Sequence, residues 1–198
     1  MGEKQVFQPL TREDTISVLL YRTGIVLATV IICGLAYLMA NASSASHIGM
    51  AADILTYCLF AAIGMSVFFI HLYIGKFKIY LRNLYLIGLA CFAALLVIGK
   101  GAPASAIIHD PRGAAFLLPL SGCLGFITAK EAFCFKLIEG YLLAMIMPLY
   151  LLLVSVGFFS PHGASYGLDV IAIMLLAFTA RKVFMPLAYD IGDKSAYQ

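Results

Sequence analysis

Apolar and polar positions alternate along the chain in blocks, giving six hydrophobic stretches joined by short polar, glycine- or proline-marked segments. The first apolar run is Gly24–Ala40, which Ile16–Tyr21 either extends or continues along an interface. The others cover residues 54–74, 83–98, 114–128, 137–157 and 167–180. A bilayer core about 30 Å thick is crossed by about 20 helical residues rising about 1.5 Å each. The runs therefore predict membrane-spanning helices. The fourth is short for that distance and contains Pro119, Gly122 and Gly125, so it reads as kinked, re-entrant or extended toward Phe135. Pro148 lies inside the fifth, where neighbouring helices or local distortion can re-satisfy the freed carbonyl. The pattern predicts an all-α membrane bundle of six transmembrane helices, a single integral membrane domain over residues 1–198.

Composition agrees with that reading. Hydrophobic residues make up 63% of the chain and charged residues 12%, against about half and about a quarter in soluble domains. Charge also supplies a topology. With the N-terminus inside, the cytoplasmic segments hold 11 of the 13 basic residues, and the outer loops hold Lys100 and Arg112. This bias follows the positive-inside rule and places both termini in the cytoplasm, most simply in a bacterial inner membrane. Lys76, Lys78 and Arg82, interleaved with Phe77, Ile79 and Tyr80, predict a connector over Gly75–Arg82 that lies against anionic lipid. The chain has no tryptophan, so tyrosines take the interfacial positions: Tyr37, Tyr57 and Tyr166 outside, and Tyr21, Tyr73, Tyr80, Tyr85, Tyr141 and Tyr189 inside. The net charge of +3 is small and gives no nucleic-acid footprint.

The most polar interruption is Lys130-Glu131-Ala132-Phe133-Cys134-Phe135-Lys136-Leu137-Ile138-Glu139-Gly140. Two readings of it stand open. It is either a charged cytoplasmic hairpin with snorkelling lysines or a polar functional site made of Lys130, Glu131, Phe133, Cys134, Phe135, Lys136 and Glu139 at the mouth of the bundle. Ionisable groups at membrane depth are costly and mark function. Glu139 is the first choice for an inward carboxylate, because Gly140 and an unbroken apolar helix follow it directly. Cys134 is the one cysteine outside an apolar span; Cys33, Cys58, Cys91 and Cys123 read as small packing residues.

The string KEAFCF at 130–135, then Glu139 and a leucine-rich helix with Pro148, resembles an uncharacterised family of integral membrane proteins, domain of unknown function 2301. Ile138 stands where the family motif carries Pro. The resemblance implies a polytopic membrane protein of similar length and helix content, and no assigned activity.

His47, His109 and His162 fall one to each outer loop, with Asp53, Asp110 and Asp169 beside them, and form an alternative metal-binding set. Solvated loop residues are the plainer reading, and no cofactor is predicted. A haem held between two histidines would need a partner for His71 at matching depth, and the sequence offers none. Walker A, GxSxG and HExxH signatures are absent, which weighs against an enzyme. Three function classes follow. The first is a non-catalytic accessory, assembly or scaffold protein within a larger membrane complex. The second is a small-solute transporter or channel acting through Glu139, as a homo-oligomer. The third is a metal-binding membrane protein using the outer histidines.

Overall fold

The computed structural model describes residues 10–41, 47–72 and 74–191. Among them, six helices are long and apolar enough to cross a membrane, and no strand occurs. In chain order these are α1 (Arg12–Ala40), α2 (His47–Phe69), α3 (Gly75–Ile98), a short α4 (Pro103–His109), a 3-10 segment (Pro111–Leu117) running into α5 (Leu118–Phe135), α6 (Ile138–Ser155), α7 (Pro161–Val183) and a single turn, α8 (Ala188–Ile191). The long helices close into a ring in the order α2, α1, α7, α6, α5, α3. Large apolar side chains such as Val30, Leu86, Met145 and Ile173 point outward from it, as lipid-facing positions require.

Most helices are longer than the apolar runs, because polar residues complete their ends. α1 begins at Arg12, where Thr11 and Asp14 form a reciprocal capping box: Thr11 Oγ1 accepts from Asp14 N at 3.2 Å, and Asp14 Oδ2 accepts from Thr11 N at 2.9 Å. α2 starts at His47 rather than near Ile54 and stops at Phe69. The stretch Gly75–Arg82 is not a connector but the first two turns of α3, so its lysines project from a helix. α7 starts at Pro161, with Ser160 Oγ accepting from Gly163 N at 3.1 Å. The fourth span is not short: it extends to Phe135. The 3-10 segment and α5 together give 25 residues from Pro111 to Phe135, long and apolar enough to cross the bilayer.

Close helix crossings and hydroxyl-to-carbonyl bonds hold the ring. At Gly24 in α1, an added Cβ would lie 2.6 Å from Ala62 O and 2.2 Å from Ser66 Oγ, so only glycine permits the α1–α2 approach. Ser66 donates to Tyr21 O at 3.1 Å across that crossing. Tyr85 is a bundle residue rather than an interfacial one: it is buried and donates to Phe60 O at 2.9 Å. Tyr21 is likewise fully buried. Tyr73 and the side chain of His47 lie outside the described residues.

Candidate functional site

The run from Lys130 to Glu139 divides by helical geometry. Lys130, Glu131 and Phe135 fall on the face of α5 turned toward α1, α7 and α8, whereas Phe133 and Cys134 are exposed. Lys136 caps α5 in the left-handed conformation (φ 55°) and is exposed, which limits the α5–α6 turn to Lys136 and Leu137. Glu139 sits in the first turn of α6 and accepts from Arg181 Nη1 at 2.6 Å, a pair whose arginine side chain is 56% exposed. Glu139 therefore faces the rim of the bundle, and the carboxylate in the interior is Glu131, with no exposed surface.

Four elements meet around Glu131. Tyr21 of α1 donates its hydroxyl to Glu131 Oε1 at 2.6 Å, and Lys130 Nζ lies 2.7 Å from the same oxygen. Lys182, near the end of α7, bridges Glu131 Oε2 and Asp190 of α8. Asp190 in turn accepts from Arg22 Nε at 2.6 Å. Arg22 continues to carbonyls at and just past the end of α7: Val183 O at 3.3 Å, Met185 O at 2.6 Å and Pro186 O at 3.0 Å. Val183 O lies at the negative end of the α7 dipole, and the other two belong to the turn that follows. Together these carbonyls supply what the two carboxylates lack against three cations. Phe135 closes the network from one side, its ring 4.2 Å from Lys182 Nζ and stacked on Tyr189.

Such a network is all-or-nothing. Removing a charge from water costs several kcal/mol, which only close, saturated pairing returns. Here each charged group has a partner from another element or an adjacent residue, so the helix ends are held in one register. His71 borders the network just beyond α2. Its Nε2 lies 3.1 Å from Ser17 Oγ, and its Nδ1 is buried without a partner among the described residues. Burial, then nearby Lys130 and Lys78, hold the imidazole below the usual histidine range.

Moving along the bundle axis, the next buried polar pair is Thr29 with Thr179, their hydroxyls 2.7 Å apart. Beyond it the ring opens into a vestibule of about 460 Å³. Ile32, Leu59, Leu120, Met147, Leu151 and Ile171 are among its walls, and among the described residues no acidic, basic, histidine or cysteine side chain lines it. Walls that face an unfilled gap have no contact partners on that side.

The remaining sequence-derived residues do not gather. Asp53 accepts from Ala104 N at 2.7 Å, Ser105 N at 3.1 Å and Ser105 Oγ at 3.0 Å, which makes it the tether of α4. Asp110 caps the 3-10 segment through Arg112 N at 3.0 Å. His109 and His162 are exposed, and among the described residues no three His, Cys, Asp or Glu side chains are placed to hold a metal.

By position in the sequence Tyr21 reads as interfacial and Arg22 and Lys182 count only among the basic residues of cytoplasmic segments, yet all three are buried here with Asp190. A signal existed for Arg22, which sits between two apolar runs with no room for a turn on either side. No periodicity marks a four-residue helix such as α8.

No curated protein and no solved structure matches the chain. One family does match, over residues 65–198, a range that includes Lys130, Glu131, Lys182 and Asp190 but not Tyr21 or Arg22. Six spanning helices, an apolar outer surface and that match together place the chain in the family of uncharacterized integral membrane proteins designated DUF2301.

Proposed function

We propose that this multi-pass membrane protein is non-catalytic and serves as an accessory, assembly or scaffold component of a bacterial inner membrane, with its charged end toward the cytoplasm. One observation carries the reading: the acids and bases of the network are committed to one another, and none of them is among the described residues that line the vestibule. Among those residues the hydroxyls have no acid, base or imidazole beside them to transfer a proton or activate an attack. The orientation is supported by the basic residues. Arg12 and Arg22, Lys130 and Lys136, and Arg181 and Lys182 belong to helix ends that meet at one end of the bundle, the distribution expected of cytoplasmic ends. Affinity purification of the full chain in mild detergent, with mass spectrometry of what accompanies it, tests the reading. A stoichiometric membrane partner is expected, and a clean homo-oligomer would overturn it.

A second reading, small-solute transport, draws on the stacking of vestibule, Thr29–Thr179 pair and charge network along one interior. Its carboxylate would be Glu131 rather than Glu139. Glu131→Gln should then abolish uptake while Glu139→Gln leaves it intact. Equal uptake by both variants and wild type removes the transport reading.

A further inference from the structure

We propose that the vestibule holds one acyl chain of a membrane phospholipid, whose phosphate sits at the mouth beside Arg112. The inference is independent of the accessory role and of transport.

The lining selects for hydrocarbon. Its hydroxyls are already committed to carbonyls: Thr56 donates to Ala52 O, Ser121 to Leu118 O and Tyr150 to Ala164 O, each at 2.8 Å. An ordered water needs two to four polar partners, and these walls offer few. A polar ligand would lose its hydration without replacement. The volume of about 460 Å³ lies within the range of ligand cavities. Leaving the space empty is the costly alternative, and the solvent around the bundle is itself acyl chain. A chain entering from the bilayer exchanges one apolar environment for another and fills the gap.

The mouth favours a phospholipid over a neutral lipid. Pro111, Pro161 and Ile108 edge the opening. Arg112 follows Pro111 directly, is exposed and makes no ion pair among the described residues. A guanidinium there can meet a phosphate with two parallel hydrogen bonds.

The test uses the full chain, purified in mild detergent and stripped of bulk lipid by exchange, followed by native mass spectrometry and thermal unfolding. Wild type should retain about one phospholipid per chain. Adding dioleoyl phosphatidylglycerol to delipidated protein should raise Tm by about 5 °C or more. Dioleoyl phosphatidylcholine should act more weakly, and a polyprenol should have no effect. Ser121→Phe with Ala164→Leu fills the space and should lower retention at least tenfold while removing the Tm response. Arg112→Gln should keep the bound lipid but erase the preference for phosphatidylglycerol. Wild type that retains no lipid and shows no Tm response overturns the proposal, whether or not the filled variant folds. Retention undiminished in the folded filled variant does the same, as does a response to polyprenol alone.

Discussion

The two ends of the bundle are built from the same helices on opposite terms. α1, α5 and α7 contribute Tyr21 and Arg22, Lys130 and Glu131, and Lys182 to a saturated charge network at one end. At the other end the same three helices contribute Ile32, Leu120 and Ile171 to a gap of about 460 Å³. The difference reflects the solvent. In lipid, apolar helix faces gain little by meeting each other rather than hydrocarbon, so an apolar gap is under weak pressure to close. Unpaired charges are under severe pressure to find one another. The charged end sets the register of the ring, and the apolar end is free to stay apart.

The sharpest break of that comparison is Lys182→Met. It removes the cation shared by Glu131 and Asp190, leaving Glu131 with Lys130 and Asp190 with Arg22, and should cost about 3 kcal/mol, read as a large fall in Tm and in folded yield. A small loss would mean that water reaches the network and that register is set elsewhere. Next comes one substitution made at two places on α6. Leu143 is fully buried, whereas Leu151 faces the vestibule. Leu143→Ala should cost about 2–5 kcal/mol and Leu151→Ala much less, because its neighbours on the cavity side are already missing. Equal losses in thermal unfolding would show the vestibule to be closed in solution.

At the charged end, acid should act through His71. The depressed pKa of His71 means that the folded state binds fewer protons than the unfolded chain once pH drops below the ordinary histidine value of about 6.5. Its contribution is complete above that value and declines as pH falls toward the lower folded-state pKa. His71→Gln should flatten the slope of Tm against pH across that window, and an unchanged slope would assign it to another group. The smallest effect belongs to Arg181→Ala. The Arg181–Glu139 pair is largely solvated at the rim, so its loss should change stability by about 1 kcal/mol or less.

The sequence made the helix count legible because lipid demands long apolar runs, and six such runs leave few alternatives. Helix ends were less legible. Polar residues at Thr11–Asp14, His47–Asp53 and Gly75–Arg82 resemble loops in composition, yet they extend helices through caps and interfacial turns. The run at 130–140 stands out by its charge, but which carboxylate turns inward depends on where α5 stops. Because the helix runs to Phe135 rather than Thr128, Glu131 acquires a helical direction, while Glu139 lies in the first turn of the next helix in both readings. Asp190 was unreadable for a different reason. Its role depends on contacts with Arg22 and Lys182, which are distant or unpatterned in sequence.

The Arg22–Asp190 contact spans 168 residues of chain. Translation runs from Arg22 toward Asp190, so the first helix enters the membrane carrying a cation whose counter-charge is made only after the rest of the bundle. Until that moment Arg22 must borrow water, headgroups or a chaperone. Closure of the charge circuit thus waits for α8, which ties the register of the first helix to an element made after all six spans.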